Sequence, residues 1–406
     1  MKRQGVHPAY VVIAAGVSAA LHVGKLSPAL PVLERALGVT LLQAGFLLSL
    51  VQLAGMVLGL AVGLAADGLG LRRSMLSGLL LLSLASLLGG WAQDAYTLLA
   101  LRAVEGLGFL LVSMPAPSLI RHLVDPQRMS VMLGLWGTYM PLGTALALLC
   151  GPLVISLRGW EFWWWGLAAL TLGMAWWVWR VVPPDQLHAP SRVSVPVPTQ
   201  RAWVLRLSQT LGAPGPWLVA LSFAVYSGQW LAVIGFLPTI YAQAGVAGGA
   251  SAVLTALVAA VNMVGNILSG RLLARGVRPQ VLLYSGFAVM GLGTLLAFFV
   301  WPLSAEGSGL PVMVRFLAVL VFSMVGGMIP GTLFSLAVRL APGEGTVSTT
   351  VGWMQQWASL GQFVGPPLVA WVASGAGGWH WTWAVTGACS GMGLLLAWRL
   401  GLRIKA

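Results

Sequence analysis

Charge is what this sequence has least of. Only 8% of its 406 residues are charged, and only 9 of them are Asp or Glu; soluble domains carry about 25% charged residues. A water-soluble globular fold is thereby excluded. Cysteine is almost absent too. Cys150 and Cys389 stand far apart among apolar neighbours, so neither a disulfide framework nor a metal-ligand spacing is visible. The histidines His7, His22, His122, His188 and His380 are scattered over different parts of the chain. There is no phosphate-binding loop, no nucleophile elbow and no metal-ligand cluster. Neither enzymatic activity nor a metal or cofactor is expected, and the missing nucleotide site argues against a primary pump.

Apolar residues fill the space that charge leaves. They make up 58% of the chain, and the mean hydropathy is +0.88. A net charge of +13 would suggest a nucleic-acid partner if it formed a patch. Here the basic residues sit singly or in pairs between apolar runs, so the bilayer is the expected partner and nucleic acid is not. A membrane crossing takes about 20 mostly apolar residues. Twelve such runs are predicted, near 9–32, 42–65, 74–92, 96–119, 129–155, 162–182, 215–240, 250–273, 280–301, 311–337, 346–373 and 380–399, and they are called spans 1 to 12 below. Span 1 follows a short basic segment and lacks a signal-peptide cleavage pattern, so it reads as retained.

One long polar connection interrupts this series after span 6. It begins at Val182-Pro183-Pro184-Asp185 and is rich in Pro, Ser, Gln and Arg. The predicted organisation is an N-terminal six-helix bundle (1–182), a cytoplasmic linker (183–214) and a C-terminal six-helix bundle (215–406). With the N-terminus inside, 17 of the 22 basic residues fall on the cytoplasmic side; Lys25, Arg35, Arg102, Arg158 and Arg315 are the remainder. That asymmetry places both termini in the cytoplasm of an inner-membrane, multi-pass protein. The halves also repeat. Leu30-Pro31, Gly38-Val39 and Gly63 match Leu237-Pro238, Gly245-Val246 and Gly270 at one constant offset. Arg102, Phe109 and Pro117 match Arg315, Phe322 and Pro330 at an offset six residues larger. Parallel six-helix repeats are a transporter architecture with the substrate site at the midplane between them.

The segment Gly63-Leu64-Ala65-Ala66-Asp67-Gly68-Leu69-Gly70-Leu71-Arg72-Arg73 crowds an acid, three glycines and two arginines between spans 2 and 3. It resembles the signature loop of the major facilitator superfamily, although Gly68 and Leu71 replace two usual basic residues. Leu98 to Gly108, with Arg102 and Glu105, resembles that family's span 4 motif. Gly134, Gly137, Pro141-Leu142-Gly143 and Gly151-Pro152 resemble its glycine- and proline-rich span 5. The resemblance covers the whole chain and implies an all-α membrane protein of twelve transmembrane helices in two pseudo-symmetric halves. It implies a conformational latch in which Gly63, Asp67, Gly70, Arg72 and Arg73 act with Gly345-Thr346-Val347-Ser348 at the start of span 11. The second-half counterpart, Gly270 to Arg278, has lost the acid, so a single latch is expected.

Glu105 is the one carboxylate well inside a predicted span, three residues from Arg102 and on its helix face. Intramembrane ionisable residues are functional candidates by default, and Glu105 with Arg102 is assigned to proton coupling; a static ion pair bracing span 4 is the competing reading. His22 and Lys25 share a face of span 1. The family likeness makes spans 1, 4, 7 and 10 line the cavity, so Lys25, Arg102 and Arg315 become candidates for holding an anion, with His22 beside them. Tyr226, Gln229 and Trp230 on span 7 and Trp353, Gln356 and Trp357 on span 11 complete the candidate substrate residues. Gly24-Lys25-Leu26-Ser27-Pro28-Ala29-Leu30-Pro31, Gly134-Leu135-Trp136 and Gly159-Trp160 resemble the cyanate and nitroimidazole permease-like group. The expectation is a monomeric secondary transporter moving a small or organic anion by proton-coupled alternating access. Proton-antiport efflux of amphipathic drugs and a non-transporting receptor or sensor are the alternatives.

Overall fold

The computed structural model describes residues 6–125, 128, 132, 135–185, 199–299, 310–343 and 346–405, without the side chains of 63–69, 199–203, 348 and 404–405. Helix is the only regular structure among them. In hydrocarbon each backbone N–H and C=O must find its partner inside the protein, and a helix provides this locally. Nine helices among the described residues are long and apolar enough to cross a bilayer. The first span's Pro8–Gly24 is shorter. Two more, Trp160–Val181 and Val347–Gly375, have the length, but tryptophan, glutamine and glycine dilute their hydropathy. Together these segments accommodate the twelve predicted crossings.

Spans 3, 5, 6, 7 and 9 are the continuous helices Leu71–Gly89, Tyr139–Arg158, Trp160–Val181, Pro214–Gln243 and Pro279–Phe298. Span 11 is Val347–Gly375 and span 12 contains Thr382–Lys405. Spans 4, 8 and 10 run over Ala95–Leu123, Gly248–Ala274 and Val312–Arg339. The sequence presents the linker as a polar connection, yet its last part forms a helix, Thr199–Gly212.

Spans 1 and 2 are discontinuous, and the sequence shows why for span 1. Its helix stops at Gly24, the chain turns through Lys25 to Ala29, and a second helix runs from Leu30 to Leu37. Pro28 has no N–H to donate and its ring opposes the carbonyl of Gly24. Span 2 consists of Leu41–Ser49, a tighter 3-10 turn at Leu50–Gln52, and Leu53–Leu69. A reciprocal capping box between Thr40 and Gln43 starts it.

Two kinds of packing join these helices. Within the C-terminal half, spans 7 and 11 lie face to face, and Gly228 is met by the backbones of Gly361 and Gly365. Small residues of this kind let helices approach closely where lipid offers no hydrophobic drive. Between the halves, span 2 packs along span 11 and span 5 against span 8. Large apolar side chains such as Leu153, Trp176 and Leu395 stay exposed on the outside of the bundle, the surface that hydrocarbon covers.

Gly106 of span 4 lies against the 3-10 turn of span 2. A Cβ there would stand 2.6 Å from the Val51 carbonyl oxygen and 3.1 Å from that of Leu50. Gly106→Ala should therefore push span 4 off the break and cost about 1–3 kcal/mol, the usual range for overpacking. Thermal unfolding in detergent measures this; an unchanged Tm would mean that the contact relaxes freely.

Candidate functional site

The break in span 1 and the 3-10 turn in span 2 leave helix ends inside the membrane, where their carbonyls need donors. Arg102 supplies them. Its Nε donates to the Leu47 carbonyl (2.9 Å), and its terminal nitrogens donate to the carbonyls of His22 (2.5 Å) and Val23 (3.2 Å). These oxygens belong to the last turns of Pro8–Gly24 and Leu41–Ser49. A helix C-terminus carries roughly half a negative charge, so one guanidinium faces two such ends. The same side chain donates to Glu105 Oε2 at 2.7 Å.

Lys25 completes the cluster from the break itself. Its Nζ pairs with Glu105 Oε1, donates to Ser86 Oγ at 3.1 Å and lies 4.7 Å from the centre of a Trp164 ring, a favourable cation–π position. The Trp163 indole N–H donates to the Lys25 carbonyl at 3.2 Å. His22 Nε2 meets Thr171 Oγ1 at 2.7 Å, and its Nδ1 stands 3.9 Å from Glu105, beyond hydrogen-bond reach. Lys25 and His22 are fully buried, and Arg102 and Glu105 are 2% exposed. With Lys25, Arg102 and Glu105 all ionised, the cluster holds one surplus positive charge. Arg102 is shared with two helix ends, whereas Lys25 has only Glu105, a hydroxyl and an aromatic face.

Among the described residues, every partner of this cluster lies in the N-terminal half. Arg315 is elsewhere: half-buried, it donates from Nε to the Ala297 carbonyl at 2.6 Å and shares no partner with Lys25 or Arg102. Charge alone does not draw the three cations around one point. The span 7 candidates divide similarly. Tyr226 bonds Asn262, which donates to the Ser323 carbonyl at 2.9 Å, while the Trp230 N–H donates to Ser323 Oγ at 3.0 Å. Gln229 accepts from Ser390 at 3.1 Å, leaving its own amide NH2 without a partner. On span 11, Trp353 and Trp357 pack edge-on against Trp217. Gln356 instead reaches the other half, accepting from the Leu60 N–H of span 2 at 3.2 Å.

The signature loop has a partner, from beyond span 6, that sequence reading missed. Asp185, just beyond span 6, accepts from the Arg72 N–H through Oδ1 (2.9 Å) and from the Arg73 N–H through Oδ2 (3.0 Å). It thus caps the start of span 3, where free N–H groups favour an anion. Arg72 also donates to the Trp179 carbonyl at 2.6 Å, and Gly70 turns with φ +88° against Asp185. Only the Pro183-Pro184-Asp185 break in sequence hints at this role. The side chains of Asp67 and Ser348, and residues Gly345 and Gly134, lie outside the described residues. Ser86, Trp164 and Thr171, uncharged side chains that meet the cluster, are given no site role by the sequence. Gln52, at the 3-10 turn, is another buried amide that sequence reading gave no site role. It faces Ser359 of span 11 at 3.4 Å and its NH2 lacks a partner.

Arg102 and Lys25 should differ in what their loss does. Arg102→Met strips donors from two helix ends and one cation from Glu105. It should cost about 3–5 kcal/mol, as breaking a buried ion pair does. Lys25→Met leaves Glu105 with Arg102 and should cost clearly less. Melting temperatures of the two variants in one detergent decide the order, and a reversed order would refute this account of the cluster.

Comparison with known proteins agrees with this architecture. The family model of the Major Facilitator Superfamily matches residues 9–358. The cyanate transport protein CynX of Escherichia coli is 25% identical over 323 residues, covering 78% of this chain and 76% of that protein. The puromycin resistance protein pur8 of Streptomyces alboniger is 33% identical over 153 residues, 37% of this chain; that match spans only 30% of pur8. Among solved structures, a bacterial homologue of the human lysosomal transporter Spinster, in an inward-facing and occupied conformation, superposes with a TM-score of 0.76. It is 15% identical, with coverage of 97% of this chain and 96% of that one, a likeness in fold. A family model matched over residues 9–358 leads to one conclusion, with which the shared fold agrees: this chain belongs to the Major Facilitator Superfamily.

Proposed function

We propose that the protein is a secondary transporter in which residues 1–182 and 215–406 rock about a midplane site, moving a small anion in exchange for, or together with, a proton. The observation that carries the reading is the buried Lys25–Glu105–Arg102 cluster, whose arginine also holds the breaks in spans 1 and 2. Ionisable groups in a membrane interior are expensive and mark ion or substrate pathways. Glu105 is the exchangeable member. Its protonation would unpair Lys25 and release one of Arg102's contacts, changing the charge at the point where two spans bend. The surplus positive charge favours an anionic substrate, and the likeness to a cyanate transport protein over most of this chain points the same way.

Arg102 and Lys25 act in this reading through the field they create, with His22 beside them. Tyr226, Gln229, Trp230, Trp353, Gln356 and Trp357 supply the neutral polar and aromatic wall from the second half, and Arg315 attracts the anion from a separate position. The basic-residue asymmetry supports inner-membrane placement and cytoplasmic termini in this reading, which also takes the protein as a monomer. Asp67 forms the latch with the start of span 11.

Uptake of labelled cyanate into proteoliposomes, empty for gradient-driven uptake and preloaded for counterflow, tests the coupling. Glu105→Gln should abolish uptake driven by a proton gradient while sparing counterflow exchange. Loss of both activities would reduce Glu105 to a structural brace, and wild-type uptake indifferent to the gradient would refute coupling. The local likeness to pur8 keeps amphipathic drug efflux as a second reading. It would be favoured if puromycin, and not cyanate, raised the melting temperature of the purified protein, since only ligands preferring the folded state do so. For the latch, Asp67→Ala should raise the labelling rate of cysteines introduced on the cytoplasmic side of the substrate path. Unchanged labelling would remove the latch.

A further inference from the structure

Sharing no residue with the buried cluster, the beginning of span 7 and the end of span 12 border a groove of about 490 Å³ lined by Pro214, Trp217, Leu218, Arg399, Leu402 and Arg403. Its two sides differ in kind. Arg399 and Arg403 are one helical turn apart, so they project from one face of span 12. Both are exposed. Every ion pair among the described residues lies in the Glu105 cluster, so neither guanidinium has a carboxylate partner there. Opposite them, Trp217 has already given its indole N–H to the Leu211 carbonyl at 2.8 Å and offers the groove only its ring. Pro214, Leu218 and Leu402 complete an apolar floor.

The groove lies where span 7 begins and span 12 ends, the depth of the lipid headgroups. Span 12 exposes side chains suited to hydrocarbon: Leu402 is 53% exposed, Trp398 50% and Leu395 65%. Trp398 also lies under the Arg399 guanidinium at 5.3 Å, which orders that side chain. Arginine recognises phosphate through a planar, bidentate fork, and basic pockets between transmembrane helices suit anionic headgroups. A free phosphate would use the arginines but leave the apolar floor and the exposed apolar side chains unexplained.

We propose that this groove is a binding site for an anionic glycerophospholipid, its phosphodiester held by Arg399 and Arg403 and its first acyl methylenes lying over Trp217, Leu218 and Leu402. The lipid would join the start of span 7, where the linker helix Thr199–Gly212 delivers the chain, to the end of span 12. The proposal rests on neither the identity of the transported substrate nor proton coupling, although Trp217 also packs against Trp353 and Trp357.

The test uses the full-length protein purified in a neutral detergent, with melting temperature read against added phosphatidylglycerol, phosphatidylcholine or sodium phosphate. Phosphatidylglycerol should raise Tm in a saturable manner, and the other two should not. In the double variant Arg399→Gln/Arg403→Gln the apparent affinity for phosphatidylglycerol should fall by roughly tenfold or more, with Tm in detergent alone near that of the unsubstituted protein. Equal stabilisation by phosphatidylcholine, stabilisation by sodium phosphate alone, or a full phosphatidylglycerol response in the double variant would each overturn the proposal. If the double variant does not fold, Arg399→Lys/Arg403→Lys takes its place. Keeping charge without the planar fork, it should respond only in part, and an undiminished response would overturn the site.

Discussion

One arginine holds the N-terminal half in its shape. Arg102 is placed where two membrane helices end prematurely, and its guanidinium serves carbonyls from both as well as Glu105. In water those carbonyls would be satisfied by solvent. In hydrocarbon each would be left with an unmet hydrogen bond costing several kcal/mol, roughly. The breaks in spans 1 and 2 are thus tolerable because span 4 carries a cation to them, and that cation is tolerable because Glu105 lies one turn away. Lys25, Ser86, Trp164 and Thr171 build outward from this centre and tie spans 3 and 6 to it.

The contrast with the other half is chemical. Where the first half uses ions, the second uses neutral donors and acceptors: Tyr226, Asn262, Ser323 and Trp230 form one network, and Gln229 and Ser390 another. The repeat visible in sequence preserves positions of glycine, proline and arginine, yet not the environment of the arginine. Arg315 has no acid three residues on, since Ala318 stands where Glu105 would be. It caps the end of span 9 instead. Among the described residues, a protein built from two related bundles has thereby placed its ion pairs on one side of the interface only.

The interface between the halves is lean in polar contacts. Span 2 meets span 11 through Gln356 with the Leu60 N–H and through Gln52 with Ser359. No ion pair crosses it among the described residues. Halves that must move against one another are suited by contacts of this strength, whereas a buried ion pair across the boundary would resist separation. The start of span 3 is fixed by Asp185, at the beginning of the linker.

Sequence alone determined the class, the helical runs and the family. Hydrocarbon imposes a length and a composition on each crossing, and the signature loop and span 4 motif are local patterns. The i to i+3 spacing of Arg102 and Glu105 made their pairing legible, whereas span 1 reads in sequence as one run over 9–32 and its break, which Pro28 explains, appears only in the structure. Only tertiary structure decided that Lys25 completes that pair, that Arg315 stands apart, and that Asp185 caps span 3. A side chain's partners across 80 residues, as between Lys25 and Glu105, depend on how the helices are rotated and packed. Sequence periodicity does not record that. The linker helix shows the same limit: Thr199–Gly212 has a mixed polar composition, and what makes it a helix is not written in any apolar run.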